Sequence, residues 1–246
     1  KNIKSLPDVK LGEGATAKLF WGSGTMVAVI QLDSNATIAE ETLPADRFLF
    51  VLKGSVEQLI DGKMTTLIAL DREAPDGTHS GTPKTEFVYL EKGAKSALKA
   101  GAQGAKLLEI YSPFRLDYLQ KAGITELPAE FADITNPMAA NVEANKVYDL
   151  YDFHLTELAK GAYSRLISGK NTQLSFISME PNSTFPHHIH PEEQMMFVMR
   201  GGCEEILLDG KQKMEVDDVV RIPSNFVHGA EIGDLGCDAL DIFWPA

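Results

Sequence analysis

Short runs of apolar and aromatic residues alternate with turn residues along the whole chain. Pairs such as Asp61-Gly62 and Gly201-Gly202 punctuate the runs, which predicts β-strands joined by tight turns. The clearest runs are Phe48–Val51, Leu174–Met179, Gln194–Met199, Val219–Ile222 and Ala239–Phe243. Many short strands at this spacing are typical of an antiparallel sandwich or barrel. One segment, Leu116–Ala122, ends at Gly123 and has the pattern of a short helix.

The strand pattern occurs twice. The segment Phe50–Glu57 (FVLKGSVE) matches Phe197–Glu204 (FVMRGGCE), and Ile60–Lys63 (IDGK) is echoed by Leu208–Lys211 (LDGK). Near the end of each half, LLEIYSP at 107–113 parallels ALDIFWP at 239–245. Three matches in the same order indicate a duplicated domain. The sequence therefore predicts a first barrel over residues 1–123, a linker over 124–147 and a second barrel over 148–246, with the boundary near Tyr148.

Composition narrows the possible partners. The 246 residues are 44% hydrophobic and 24% charged, which suits a folded core, and no run of about 18 apolar residues predicts a membrane span. The net charge of -12 argues against nucleic acid and anionic membranes as partners, whereas a small anion can still bind a locally positive pocket. Cys203 and Cys237 could pair if the fold brings them close, but two partly buried thiols are expected. The compartment stays open between cytoplasm and periplasm.

The stretch PHHIHPEEQ at 186–194 carries the candidate chemistry. In an extended strand, side chains alternate between two faces, so His188, His190, Gln194 and Met196 point the same way. In a small barrel that face is the interior. His228 follows the strand and turn at 219–227, which would return it to the same lumen. Three imidazoles and an amide oxygen form a ligand set for a divalent transition metal with open positions.

Neighbouring polar residues are weaker ligand candidates. His187 and Glu193 have the opposite parity, and Glu192 lies in a turn as an alternative to Gln194. A lone histidine such as His154 is expected to be structural. Three unpaired polar groups inside a barrel would each cost about 1–3 kcal/mol, whereas a bound cation removes that cost.

These residues resemble the two motifs of the cupin superfamily. The match runs from the His-x-His-Pro-x-Glu-Gln pattern at 188–194, through the glycine seven residues on, to Ile-Pro-x-x-x-x-His ending at His228, and covers about residues 160–245. The resemblance implies an all-β fold of two tandem cupin (double-stranded β-helix, or jelly-roll) barrels with a short helical linker. It also implies metal ligands at His188, His190, Gln194 and His228, the set that strand parity selects.

The first copy lacks these ligands. Alignment of Phe50 with Phe197 places Glu41, Leu43 and Arg47 at the positions of His188, His190 and Gln194, and Ser96 near that of His228. The N-terminal barrel is therefore expected to be degenerate and metal-free, with a role in packing, dimerisation or shaping a cleft.

The second barrel also resembles the pectin-degradation cupins, which open the ring of 4,5-unsaturated monouronates to 5-keto-4-deoxyuronate. Their last strand carries Asp-x-Phe-Ser-Pro-x-Arg, which Asp241, Phe243 and Pro245 match, with Trp244 in place of Ser. The arginine position would fall just beyond Ala246. The same motif reads EIYSPFR at 109–115 in the first copy.

The resemblance implies a metal-dependent enzyme for a small, anionic sugar acid. Asp241 is the candidate catalytic residue, with Phe243, Met196 and Arg165 as substrate-binding candidates and Arg221 as another possible grip for a carboxylate. The metal could be Zn, Ni, Fe or Mn. Two other classes remain open, a metal-dependent dioxygenase and a non-catalytic sugar-acid binder, and a homodimer is a possible assembly.

Overall fold

The computed structural model describes residues 1–69, 86–126, 140–208 and 210–246. The chain is almost entirely antiparallel β-structure, as the sequence predicts, with one α-helix, α1 (Leu116–Lys121). Short 3-10 segments cover Ile3–Ser5 and Leu150–Asp152. Among the described residues, no helix has the length and apolar character that a membrane crossing requires.

The first sheet has nine strands in the order β1-β2-β3-β8-β5-β7-β9, with β4 paired to β8 and β6 to β5. Its strands are β1 (Val9–Gly12), β2 (Ala15–Trp21), β3 (Met26–Leu32), β4 (Thr37–Thr42), β5 (Asp46–Ile60), β6 (Lys63–Ile68), β7 (Glu86–Leu90), β8 (Lys95–Ser112) and β9 (Lys146–Asp149).

The second sheet has eight strands in the order β10-β11-β12-β17-β14-β15, with β13 paired to β17 and β16 to β14. Its strands are β10 (Leu155–Ala159), β11 (Ala162–Ser168), β12 (Gln173–Met179), β13 (Thr184–His188), β14 (Glu193–Leu207), β15 (Gly210–Glu215), β16 (Val219–Ile222) and β17 (His228–Trp244). The order repeats that of β1 to β8, so the duplication seen in the sequence is a duplication of topology.

Strand register supports the duplication residue by residue. Phe50 pairs with Leu108 in the first sheet, as Phe197 pairs with Leu240 in the second. After these phenylalanines, the long strands β5 and β14 have register shifts at the same two places. At the second shift in β14, Gly201 has a φ of +66°, and a Cβ there would lie 1.9 Å from the carbonyl oxygen of Gly236. A side chain cannot fit in this close approach, so glycine is required.

The compact units differ from the predicted boundary near Tyr148. Residues 142–152 group with the first unit, because β9 pairs with β7 and the Tyr148 ring stacks on Phe87 at 5.5 Å between centroids. Residues 1–5 group with the second unit: Ile3 is buried there and its amide donates to the carbonyl of Asp217. Much of the predicted linker, residues 127–139, lies outside the described residues.

Each unit has its own apolar core between its strands. In the second unit the core fills the lower lumen with Val198, Met214, Ala239 and the thiols Cys203 and Cys237, which are buried and not bonded to each other. The upper lumen carries polar side chains instead, and these form the candidate site.

Candidate metal centre

Three histidines converge at the open end of the second barrel. His188 ends β13 and pairs across the sheet with His228, the first residue of β17, so that their ring centroids lie 4.1 Å apart. His190 reaches the same place from the turn before β14. The candidate ligand atoms of the three residues lie within 4.8 Å of one another, which is close enough to hold one metal ion.

The outer nitrogen of each imidazole is anchored to the backbone. Nδ1 of His188 lies 3.0 Å from the carbonyl oxygen of Pro186, and Nδ1 of His228 lies 2.9 Å from that of Phe226. Nδ1 of His190 lies 2.9 Å from the carbonyl of Glu192. A carbonyl oxygen only accepts, so each Nδ1 carries the proton and each Nε2 keeps a lone pair. A hydrogen bond from Nδ1 to a backbone carbonyl is typical of histidines that bind a metal through Nε2.

Gln194 completes the convergence from β14. Its Oε1 lies 3.1 Å from Nε2 of His190 and 3.0 Å from Nε2 of His228. Its Nε2 donates to Oδ1 of Asp241 at 2.9 Å, which fixes the amide so that the oxygen faces the histidines. All of these facing atoms are lone-pair acceptors and repel one another unless a cation lies between them. The residues present therefore fit a divalent metal.

The electrostatics of the site favour neutral imidazoles. Burial lowers the pKa of His228 to about 4, helped by the neighbouring rings of His188 and His190. Burial likewise lowers the pKa of His188. At neutral pH both rings are therefore uncharged, the state in which imidazole binds a metal.

The neighbouring polar side chains of Glu193, Glu192 and His187 do not face the converging Nε2 atoms. The Glu193 carboxylate pairs with Nε of Arg221 at 2.5 Å, on the far side of the strand from the histidines. The Glu192 carboxylate lies 3.4 Å from Nδ1 of His190, away from the converging Nε2 atoms. His187 is exposed. These placements agree with the parity argument for Gln194.

A cavity of about 60 Å³ lies beside the histidines. Its walls include Asp241, Phe243 and Met196, so three of the four predicted catalytic and substrate-binding residues face it. Asp241 is buried, which raises the pKa of its carboxyl to about 7, although the hydrogen bond from Gln194 opposes the shift. The Phe243 ring meets that of His190 edge-on at 5.2 Å between centroids.

Arg165, which the sequence predicts as a substrate-binding residue, lies on the other face of its strand and is not among the residues that line this cavity. It pairs with Phe176, whereas the neighbouring Ser175 and Ile177 of β12 line the cavity. Paired residues share a face of the sheet, so Arg165 points away from the lumen. Of the described residues that line the cavity, none is Lys or Arg.

Sequence reasoning missed Glu205, which lines the cavity from β14 and is 3% exposed. Burial, with contributions from Cys203 and Asp241, raises the pKa of its carboxyl to about 9. Simple alternation from Gln194 turns Glu205 outward, but the bulge near Gly201 shifts the alternation by one residue. The Gly201-Gly202 pair was the signal that could have revealed it.

The equivalent positions of the first barrel hold a cation of the chain itself. Arg47, at the position of Gln194, donates to Glu109 at 3.1 Å, to Gln58 at 2.6 Å and to Ser96 at 3.0 Å. Arg47 and Glu109 are 2% and 0% exposed. Within the described ranges, one group of three or more His, Cys, Asp or Glu side chains is close enough to hold a metal ion, and it consists of His188, His190 and His228.

Comparison with known proteins supports a cupin domain in the second unit. The family described as Cupin domain matches residues 175–243, a segment that contains Gln194, His228 and Asp241. No curated protein sequence matches the chain.

Solved structures match over both units. AerE from Microcystis aeruginosa has a TM-score of 0.69 and 14% identity over 98% of this chain and 96% of its own. A variant of oxalate decarboxylase from Bacillus subtilis has a TM-score of 0.71 and 14% identity over 100% of this chain and 76% of its own. A further structure of oxalate decarboxylase from Bacillus subtilis, in which the EPR fine-structure parameters of the Mn(II) centres were assigned, has a TM-score of 0.71. Its identity is 14% over 100% of this chain and 76% of its own.

Identities this low establish shared architecture and leave chemistry to the site itself. The chain therefore has the fold of two tandem cupin barrels, with a histidine triad that could hold a metal ion in the second.

Proposed function

We propose that the second barrel binds one divalent transition metal through His188, His190, Gln194 and His228. The observation that carries this proposal is the convergence of lone-pair acceptors, with Oε1 of Gln194 about 3 Å from two imidazole nitrogens. Each imidazole is oriented by a backbone carbonyl and the amide by Asp241, so the set is organised without the ion. Zn, Ni, Fe and Mn all accept such ligands.

We further propose that this site opens the ring of a 4,5-unsaturated monouronate. The support is the resemblance of the last strand to that of the pectin-degradation cupins, together with the placement of Asp241 and Phe243 in the cavity wall. When bound, the metal would act as a Lewis acid toward an oxygen of the substrate. The described residues that line the cavity include no Lys or Arg, so the positive charge that faces the substrate carboxylate would be that of the metal.

Asp241 is the group suited to move the proton. As carboxylate it takes the proton of the C1 hydroxyl, a C1 carbonyl forms, and the bond between C1 and the ring oxygen breaks with its electron pair left on that oxygen. The resulting enol system collapses to the 5-ketone when a proton is delivered to C4, so the net change is an isomerisation. A carboxyl with a pKa of about 7 can accept and return a proton near neutral pH.

The cavity decides how a sugar acid would sit. The cavity measures about 60 Å³, and the proposal places the sugar ring at its mouth with an oxygen substituent inside. Leu158, Phe185 and Phe243 offer apolar surface there, and Phe243 is placed to pack against one face of the ring. Ser175, which pairs with Asp241 across the sheet, adds a hydroxyl to the wall.

The decisive experiment is turnover of unsaturated galacturonate by metal-loaded protein, followed as loss of the enol-ether absorbance. Wild type should convert the substrate, and Asp241→Asn should retain the metal while losing at least about 100-fold in rate, the lower range for a proton-transferring residue. His187→Ala, an exposed neighbour, should match wild type in both measurements. Metal content is determined on the same preparations.

Other outcomes would identify another function. If wild type and His190→Ala are equally inert on every uronate tested, the uronate proposal is wrong. Oxygen consumption by the iron-loaded protein would assign a dioxygenase, because three histidines with open positions also suit Fe(II) chemistry. Tight binding of uronates without turnover would assign a sugar-acid binder.

A further inference from the structure

Glu205 is a polar side chain in the cavity wall that the proposed reaction does not use. It is 3% exposed, yet it lines the same cavity as His228 and Gln194. Its backbone pairs within the sheet, whereas its carboxyl makes no hydrogen bond or ion pair with another side chain in the described part of the chain. A carboxyl that is buried and unpartnered costs free energy unless something in the cavity contacts it.

The first barrel shows where a side chain at this position reaches. Gln58 occupies the equivalent place, since it pairs with Leu98 as Glu205 pairs with Ala230. Its Oε1 accepts from Arg47 at 2.6 Å and its Nε2 donates to Oγ of Ser96 at 3.1 Å. Arg47 and Ser96 stand at the positions of Gln194 and His228. A side chain of this length therefore reaches the centre of the site.

We propose that Glu205 is a ligand-binding residue of the second barrel. Its carboxyl hydrogen-bonds an oxygen atom of a bound hydroxy acid on the floor of the cavity, beside Gln194 and His228. A cavity of about 60 Å³ accommodates an oxygen substituent such as a hydroxyl or a carbonyl oxygen. The surrounding Ile177, Met196 and Ala230 are apolar and buried, so water competes poorly for this hydrogen bond.

This inference deepens the proposed function, because it specifies how the substrate of the same site is held. It requires that the ligand be a small acid with an oxygen substituent that can enter the floor of the cavity. Glutamine should serve as well as glutamate, since it has the same length and can hydrogen-bond, as Gln58 does. Leucine, of similar size but without polar atoms, should not.

The test uses protein loaded with Co(II), whose visible absorption bands change when a ligand enters the metal's coordination sphere. Wild type, Glu205→Gln and Glu205→Leu are titrated with galacturonate, which is saturated and unreactive, and separately with glycolate. We expect dissociation constants within about threefold of wild type for the Gln variant and about tenfold weaker binding for the Leu variant, the effect of one lost hydrogen bond in a buried site. Met214→Leu controls for repacking of the lumen.

Each outcome decides the proposal. Equal affinity of wild type and Glu205→Leu overturns it, and so does a loss in Glu205→Gln as large as in Glu205→Leu, which would indicate a requirement for charge. Co(II) stoichiometry and thermal midpoint verify that each variant is folded and loaded, and Glu205→Met replaces the Leu variant if that one does not fold. Binding of glycolate without galacturonate would reject the uronate substrate while still testing Glu205; binding of neither would reject Glu205 as a ligand-binding residue.

Discussion

The lumens of the two barrels can be compared position by position, because Phe50–Leu108 and Phe197–Leu240 are equivalent pairs. In the second lumen, imidazole nitrogens and an amide oxygen face one another with no cationic side chain between them. In the first, Arg47 stands at the place of Gln194 and its guanidinium is surrounded by Glu109, Gln58 and Ser96. If the second barrel binds the proposed metal, one scaffold accommodates a positive charge in two ways, from a side chain of the protein or from an ion.

The rims of the two barrels also differ in charge, because the first barrel has an internal ion pair at the position of His188. Glu41, at the position of His188, accepts two hydrogen bonds from Arg115 at 2.9 and 2.8 Å. The Arg115 guanidinium also lies 4.1 Å from the centroid of the Tyr118 ring on α1. The first barrel is therefore closed by its own ion pair and aromatic ring, whereas the second keeps a cavity at the equivalent end.

The largest effect is expected from removal of a proposed ligand. His190→Ala should reduce metal content from about one ion per chain to a small fraction after dialysis, with affinity lowered more than about 100-fold, since loss of an outer partner alone costs about 10–100-fold. Elemental analysis measures the content. His187→Ala, three residues away and exposed, should keep the ion. Equal metal content in both variants would mean that the two lumens do not differ in the way described.

Removal of the first barrel's internal cation should be the next largest effect. Arg47→Ala leaves Glu109 buried without its charge partner, and should lower the free energy of unfolding by about 3–5 kcal/mol. Denaturant titration measures it. The partly exposed pair Arg200–Asp238 is the matched control, with about 0–1 kcal/mol for Arg200→Ala. The double variant Arg47→Met with Glu109→Leu should recover most of the loss; if it does not, the pair is not the cause.

The shared bulge should respond equally in both barrels. Gly201→Ala would bring a Cβ to 1.9 Å from a backbone oxygen at a φ of +66°, and Gly54→Ala would bring one to 2.1 Å at a φ of +74°. We expect a loss of about 3 kcal/mol or more for each, because backbone must move in addition to the left-handed strain of about 1–2 kcal/mol. Gly62→Ala has a φ of +76° and open space, so it should show the strain alone. Unequal losses at the two bulges would show that the scaffolds have diverged.

Sequence reasoning recovered the features that depend on local alternation. Strand parity brought Gln194 to the lumen and turned Glu193 outward to Arg221, and the alignment of the copies placed Ser96 at the position of His228. These succeed because the side-chain period in a strand is two and the repeat carries the register from one copy to the other.

The features that were missed depend on non-local pairing. Arg165 lies on a strand that carries both polar and apolar residues on each face, so alternation alone could not choose a face, and the pairing with β12 decided it. Glu205 follows a bulge that reverses the parity set by Gln194. Strand β9, with Tyr148, joins the first unit through Phe87, a partner far away in sequence. Register and bulges are tertiary information that a single sequence states only indirectly.

The smallest predicted effect compares Glu205 with its neutral counterpart Gln58. Burial raises the pKa of Glu205 to about 9 from an ordinary 4.5, so between these values the folded protein holds a proton that the unfolded chain has released. Raising the pH through this window therefore destabilises the folded state of the metal-free protein, and the loss is complete above the folded pKa. Glu205→Gln removes this dependence. Its free energy of unfolding relative to wild type should rise by about 1.4 kcal/mol per pH unit, or about 2 kcal/mol between pH 7 and 8.5.

Denaturant titrations of both proteins at those two pH values measure this difference. Gln58→Leu in the first barrel removes no titrating group, so its free energy of unfolding should differ from that of wild type by the same amount at both pH values. Asp241, with a pKa of about 7, and His228, with a pKa of about 4, are present in both proteins, so their titration cancels in the difference. A constant offset between wild type and Glu205→Gln would mean that Glu205 is already ionised at pH 7 in the metal-free barrel. The second lumen would then hold a fixed negative charge where the first holds the amide of Gln58. The two barrels would differ in charge at this position as well as at the positions of Arg47 and Glu41.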